Sequence, residues 1–554
     1  MPDARTFIDE DFVVVKTDSG TKFTLWFGDE IVVLGKQGGR TRVRVLGHGS
    51  GPFEGTVKGT PKTRPTGVLR FAPEAGQRRR HHAAGAPALR PSGSGSVVRP
   101  ILLGMRVLRI ISCAALVAVV LSTHAAGEQA PLSDPIPEKI QPSGLVLAAE
   151  EFVRVPRTSD SSEDGQTNAA YARIQFLTPL GDGTGRLALN DLRGPLYLTD
   201  ERGADPVVFL DMREQDVGFD DSMFPNETGL VSVAFHPQFG QAGTPGFGKF
   251  YTAYSATSGS GIADYLDDDA ESHESVIREW TANDPTAGVF SGSSREVFRL
   301  GQFAPNHNIG MLAFNPNAEA GSSDYGMLYA CLGDGGMAHD PRDHGQSLAV
   351  PQGAIIRIDP LAGDAARRYG IPADNPFAGT VGVAPEIWAS GLRHPQHFSW
   401  DTDGRMFIGD IGQNQVEEVN LGRPGANYGW RLREGTFASG FAVGRGPGPV
   451  YPRPDTDDDE FTYPVAQYDH DEGNAIGGGF VYRGQAIPAL QGKYVFADFP
   501  LGRLFVIDTD ALSPGRPVTI TEIDVMIGGA TRAVADAAGF PNTYGPGNRA
   551  DLRL

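Results

Sequence analysis

Several short stretches place groups able to do chemistry in turn-forming sequence. They are Asn306-His307-Asn308, the turn Gly333-Asp334-Gly335-Gly336, Arg393-His394-Pro395 with Gln396 just after it, and the loop around Gly412 and Gln413. An imidazole titrates near working pH and suits general base work. A guanidinium is planar and always charged, so it can stabilise an anion without moving a proton. Taken alone, each has a plainer reading: a lone His307 is more often a structural histidine, and Arg393 an ordinary loop ion pair. His236 in AFHP and His470 in YDHDEGN read as structural, and Glu417 and Glu418 as structural or weakly metal-supporting. The acidic runs Asp267-Asp268-Asp269 and Asp455 to Glu460 read as solvated loops, because neither has the spacing of an EF-hand.

The elements that must position these groups are strands. The chain has 554 residues, enough for several domains. Its 72 glycines and 41 prolines fit turn-rich antiparallel β structure. A phrase recurs: a short apolar strand, a turn with Asp, Asn or Gly, then Gly-x-apolar-apolar-apolar running to Asp. It occurs at 185–200 (GRLALNDLRGPLYLTD), 310–336 and 397–412 (HFSWDTDGRMFIGDIG). Four-stranded units repeated at intervals of tens of residues are the mark of propeller blades. The net charge of −19 argues against nucleic acid as a partner.

Residues 1–72 alternate apolar and polar positions between turns such as Asp18-Ser19-Gly20 and Gln37-Gly38-Gly39, which reads as a small SH3-like β-barrel. Residues 73–104, with Arg78 to His82 and much Ala, Pro, Gly and Ser, read as a flexible linker. Residues 105–126 carry Arg106 and Arg109, then an apolar run from Ile110 to Leu121, then small residues at Ala125 and Ala126. That is the pattern of a secretory signal, with a run short for a bilayer span. A start at Met105, two joined reading frames and an internal membrane anchor all stay open. The expected location is periplasmic or secreted, with membrane contact only if 105–126 is uncleaved. Cys113 lies in this run, so Cys331 is left as the single thiol of the mature domain, with no intrachain disulfide.

Nine motifs then occur in one order: ETGLVSVAFHPQF (227–239), NHNIGMLAFNP (306–316), YACLGDGG (329–336), GAIIRIDP (353–360), ADNPF (373–377), GLRHPQHFSWD (391–401), GDIGQNQVEEVN (409–420), NYGW (427–430) and IGGGFVYRG (476–484). In this the chain resembles the soluble quinoprotein glucose dehydrogenases and their aldose dehydrogenase relatives, the glucose/sorbosone dehydrogenase family. The resemblance implies an all-β six-bladed propeller over 140–554. It implies oxidation of an aldose at C1 to a lactone by pyrroloquinoline quinone with calcium, the partners being a small sugar and an external electron acceptor. His307 then matches the general base, Asp334 the carboxylate that orients it, and Arg393 the arginine over the quinone. Glu227, Arg393, His394 and Gln396 match cofactor-binding positions, and the backbone carbonyls of Gly412 and Gln413 match calcium ligands.

The chain departs from the pattern at four places. His394 stands for Asn, Glu227 for Gln, Gln413 for Pro, and Pro500 for a lysine that contacts the quinone's polar edge. Arg503 replaces that lysine only if it faces inward. This last departure supports the alternative of a catalytically inactive extracellular propeller that binds sugar, glycan or protein, as in Hedgehog-interacting relatives. The final blade is expected to lack a strand, with Asp551 to Leu554 opening a pair that is never completed. A strand at Phe152 to Val155 is expected to cover part of the open edge.

Overall fold

A computed structural model describes residues 130–158, 172–222, 227–266, 272–364, 366–454, 460–510 and 512–531, and the strand backbone alone within 5–65. The signal-like segment, the linker, Asp267 to Asp269, most of the second acidic run and Asp551 to Leu554 lie outside these residues.

Seven strands lie in 5–65: β1 (Arg5–Ile8), β2 (Phe12–Lys16), β3 (Lys22–Trp26), β4 (Glu30–Gln37), β5 (Arg40–Val45), β6 (Phe53–Lys58) and β7 (Thr63–Pro65). The expected hairpins are present: β2 pairs β3, and β4 pairs β5 across Gly38-Gly39 with Gln37 opposite Arg40. The sheet order is β3-β2-β6-β5-β4-β1-β7. Among the described residues no pairing joins β3 to β7, and the expected SH3-like barrel is not confirmed.

From 130 onward, five sheets follow in chain order. After β8 (Gln141–Ala149), the first sheet holds β9 (Ile174–Pro179), β10 (Arg186–Asp191), β11 (Pro195–Asp200) and β12 (Val207–Asp211). The second holds β13 (Leu230–Phe235), β14 (Lys249–Ala256), β15 (His273–Ala282) and β16 (Gly292–Gln302). The third holds β17 (Ile309–Phe314), β18 (Leu328–Leu332), β19 (Ala354–Ile358) and β20 (Ile387–Ser390). The fourth holds β21 (His397–Trp400), β22 (Met406–Asp410) and β23 (Val416–Gly422); after a small hairpin of β24 (Arg433–Glu434) and β25 (Phe437–Ala438) it is completed by β26 (Ala466–Asp469). The fifth holds β27 (Ile476–Val481), β28 (Lys493–Asp498), β29 (Arg503–Asp508), β30 (Thr521–Ile527) and β31 (Ala530–Thr531).

Each sheet is an antiparallel meander, and apolar faces of consecutive sheets pack on one another as blades. Phe209, Phe250 and Trp280 join the first two sheets, and Tyr251, Phe298, Leu328 and Ile356 the next two. Tyr329, Trp388 and Phe398 join the third and fourth; Phe407, Tyr468, Tyr494 and Phe505 join the fourth and fifth, with Phe407 and Tyr494 stacked at 4.6 Å. Such aromatic payloads dominate burial at each interface.

The described residues therefore form five blades, and the expected count of six is not confirmed. The count rested on the family resemblance and on length, and long loops inside the third and fourth sheets take up much of that length. The expected final pair at Asp551 to Leu554 lies outside the described residues; the fifth sheet is extended by β31 and by β8, which pairs with β30 in parallel. The N-terminal strand that covers this edge is Gln141–Ala149, not Phe152 to Val155, which forms no strand. Leu145 and Leu147 of β8 pack on Leu490, Leu504 and Ile523, a contact that fixes the choice of strand.

Candidate active site

The residues named from sequence sit in loops at one end of the blades. Glu227 precedes β13, His307 precedes β17, Arg393 and His394 precede β21, Asp334 follows β18, and Gly412 and Gln413 follow β22. In an antiparallel meander, the start of a first strand and the end of a second strand share an end.

A repeated device builds these loops. Asp191 ends β10 and accepts the Arg173 N–H at 3.1 Å. Asp410 ends β22 and accepts the N–H groups of Arg393 (3.0 Å) and His394 (2.7 Å). Asp498 ends β28 and accepts those of Asn474 (2.6 Å) and Ala475 (2.9 Å). In each case a strand-end carboxylate ties down the loop that enters its own sheet. The third sheet varies the device. Asp334, two residues beyond β18, takes the His307 imidazole instead, with Nδ1 at 2.6 Å from Oδ1.

Asp334 is fully buried and further held by the Gly336 N–H on Oδ1 (3.0 Å) and the Trp430 indole N–H on Oδ2 (2.8 Å). Burial raises its pKa, against the charge of Arg393 and these donors. The GDGG turn must be glycine at Gly336, where φ is 100° and a Cβ would meet the Asn306 carbonyl oxygen at 2.5 Å. His307 itself adopts φ 54°, and its N–H donates to Glu227 Oε2 at 2.7 Å. Its imidazole pKa is pushed well below the ordinary value by burial and then by the charges of Arg393 and His394. Both effects favour the neutral ring. All five non-glycine residues with positive φ among the described residues, His307, Met337, His339, Asp340 and Asp343, lie at this end. Strain of this kind concentrates at functional sites.

Glu227 also faces His394, with Nε2 at 2.9 Å from Oε2. Burial raises the Glu227 carboxyl, but His394 and His307 outweigh it and hold the group well below the carboxylate range. The His307 and His394 rings stack at 4.8 Å. The Gln396 amide lies 2.9 Å from His394 Nε2. Arg393 donates from Nη1 to the carbonyls of Ile411 (3.0 Å) and Gly412 (2.7 Å), and from Nε to Gln413 Oε1 (3.2 Å). Its guanidinium lies 5.7 Å from the Trp430 ring centroid. All eight residues named from sequence thus belong to one hydrogen-bonded cluster.

Two adjustments follow. The carbonyls that converge on a positive group are those of Ile411 and Gly412, whereas Gln413 contributes its side chain. Arg503 does not stand in for the missing lysine. It is engaged by Glu522 (2.9 and 2.7 Å) and Glu472 (2.8 Å). Three residues escaped the sequence reading of roles: Trp430 of NYGW and Asp410 of GDIG, whose motifs were in view, and Glu434, which lies in none of them. Glu434 Oε1 accepts the consecutive N–H groups of Gln413, Asn414, Gln415 and Val416 at 2.8–3.1 Å, which turns the preceding carbonyls toward Arg393.

A small cleft of about 20 Å³ adjoins the cluster, lined by Glu227, His394, Gln396, Ile309 and Arg173 among others. His394 Nδ1 and Gln396 Oε1 are buried without a hydrogen-bond partner among the described residues, a condition that suits a polar ligand. Arg393 and His394 are the residues that would face the acidic groups of a pyrroloquinoline quinone, whereas Gln396 Oε1 can only accept. The Ile411 and Gly412 carbonyls fit a cation, the guanidinium being the positive group now on them.

The family model for glucose/sorbosone dehydrogenase matches residues 188–538. The chain is 30% identical over 383 residues to the HIPL1 protein of Arabidopsis thaliana, covering 60% of this chain and 51% of that one. It is 30% identical over 147 residues to an aldose sugar dehydrogenase of Escherichia coli, covering 26% and 34%. It is 25% identical over 276 residues to the Hedgehog-interacting protein of Mus musculus, covering 49% and 33%. A solved structure of the PQQ-bound aldose sugar dehydrogenase from Streptomyces coelicolor aligns at TM-score 0.44 and 20% identity, over 69% of this chain and 94% of that one. The chain thus spans about half the length of the first curated relative it matches. With the family model covering the greater part of its length, this chain belongs to the glucose/sorbosone dehydrogenase family.

Proposed function

We propose that the protein oxidises an aldose or similar sugar at C1 to the lactone, with pyrroloquinoline quinone and calcium. The observation that carries this is the buried His307–Asp334 contact at 2.6 Å, with Arg393 in the same cluster. Asp334 holds the proton of the imidazole on Nδ1, which leaves the lone pair on Nε2. A neutral imidazole so oriented takes the hydroxyl proton of the sugar at Nε2, and Asp334 stabilises the imidazolium that forms. Arg393, permanently charged, stabilises developing negative charge nearby. His394 and Gln396 supply open polar atoms for orientation. When bound, the quinone supplies the two-electron acceptor for the C1 hydride.

His307→Ala is expected to lower dye-coupled sugar oxidation by about two to four orders of magnitude while leaving quinone binding largely intact. Arg393→Ala is expected to damage both. A His307→Ala enzyme with full turnover removes the general base from this reading.

One observation favours a second reading, a catalytically inactive extracellular propeller that binds sugar, glycan or protein. Pro500 and the engaged Arg503 leave the expected lysine unreplaced, which weakens the hold on a tricarboxylate.

A further inference from the structure

We propose that Asp134, Asp469 and Asp471 form a calcium site that fastens the segment 130–140 to the loop after β26. One carboxylate oxygen from each lies within 4.8 Å of one from each of the others. Acidic clusters on surfaces are common without an ion, and two of these three residues are exposed. Asp469 is different. It ends β26, is 3% exposed, and spends Oδ2 on the Ile136 N–H at 3.1 Å. Its Oδ1 is buried and, among the described residues, receives no hydrogen bond from an N–H group or a hydroxyl. A buried carboxylate oxygen with no donor is costly and calls for a partner of opposite charge.

The neighbouring lysine does not meet that need. Lys139 bonds Asp471 and lies 3.9 Å from Glu472; its charge also reaches Asp469, but it donates no hydrogen bond to that carboxylate. What faces Asp469 is Asp134, whose like charge and carboxyl–carboxylate contact add to burial in raising the Asp469 pKa. The donors are all carboxylate oxygens, with neither imidazole nor thiolate among them. That set suits a hard cation, and the exposure of Asp134 and Asp471 leaves room for the waters that complete a calcium shell.

The position gives the ion a purpose. The segment is attached by single N–H donors from Leu132 to the Val450 carbonyl (2.9 Å), from Ile136 to Asp469, and from Ile140 to Glu472 (3.3 Å). It leads directly into β8, which covers the edge of the fifth sheet by pairing with β30. An ion joining Asp134 to Asp469 and Asp471 anchors this strap where the blade edge is closed. This inference does not rest on the dehydrogenase reading.

The test is hydrogen exchange on the full chain, stripped of divalent ions and then titrated with calcium. At calcium ten times above Kd, exchange of the amides in 132–149 is expected to slow about tenfold, as linkage requires when opening releases the ion. Asp469→Asn is expected to abolish the response. Asp134→Asn alters only an exposed side chain and so does not threaten folding; it is expected to weaken calcium binding by about tenfold or more. Protection of amides 413–416 is followed separately, so an ion at the Arg393 loop does not confuse the result. If calcium leaves 132–149 unchanged in the wild type, or if both variants respond as the wild type does, the site is refuted, and a proton shared between Asp134 and Asp469 explains the cluster instead.

Discussion

Replacing Asp334 by asparagine keeps the shape of the side chain and removes one acceptor. In the wild type both carboxylate oxygens accept: Oδ1 from His307 Nδ1 and the Gly336 N–H, and Oδ2 from the Trp430 indole. An asparagine has one oxygen and one NH₂ to offer. If its oxygen faces His307 and Gly336, the NH₂ confronts the indole N–H, and a buried donor is left unpaired at a cost of about 1–3 kcal/mol. If the NH₂ faces His307, it confronts the Gly336 N–H at similar cost and donates to Nδ1. The imidazole proton then moves to Nε2, where the base needs its lone pair. Either orientation lowers the melting temperature by a few degrees. The second also removes turnover, by roughly two to four orders of magnitude. The assays are thermal unfolding, dye-coupled oxidation and ¹⁵N shifts of the His307 ring. A variant with unchanged melting and turnover within about threefold of wild type would refute the reasoning.

The pH profile of kcat/KM is expected to show its base limb below about 6.5, because burial and the charges of Arg393 and His394 depress the His307 pKa; a limb at or above 6.5 contradicts this. Glu418 is raised to about 8 by burial and by the charge of Asp410. The folded state therefore holds its proton where the unfolded state has lost it, so wild type loses stability from pH 5 to 8 that Glu418→Gln retains, by up to about 1.4 kcal/mol per pH unit. Parallel denaturation slopes over that range count against it. Gly412→Ala places a Cβ at 1.8 Å from the Val416 carbonyl oxygen; a lower melting temperature and weaker calcium binding are expected, and a variant equal to wild type in both shows that the loop is not held as described. Arg503→Lys breaks the paired contact with Glu522 and is expected to lower stability by about 1–2 kcal/mol without changing quinone affinity; a large change in affinity would place Arg503 in the site.

The sequence made the blade strands legible because period-two apolar runs and glycine turns are local signals. Their phase was less legible. The phrase at 310–336 spans the first and second strands of its sheet, as does that at 397–412, but the phrase at 185–200 spans β10 and β11, the second and third. Apolar strand-turn-strand patterns read alike at any place in a meander, so blade number and phase are set by packing between sheets. The choice of β8 over Phe152 to Val155 was hidden for the same reason: both alternate, and only the contact of Leu145 and Leu147 with Leu490 and Ile523 decides. The eight candidate residues were legible through ordered motifs. Glu434 was not, because a carboxylate that accepts four backbone N–H groups about twenty residues upstream carries no spacing of its own. Which way Arg503 faces was not legible, because its partners Glu522 and Glu472 are brought to it by strand pairing and by the loop after β26 respectively.

The most direct measurement is reconstitution of the wild-type protein, mixed with pyrroloquinoline quinone and calcium and given a broad panel of sugars and a redox dye. The expected result is a bound quinone absorption band, calcium-dependent dye reduction with at least one aldose, and the matching lactone as product. A protein that folds, yet neither holds the quinone nor reduces the dye with any sugar, would contradict the dehydrogenase assignment and leave the binding propeller in its place.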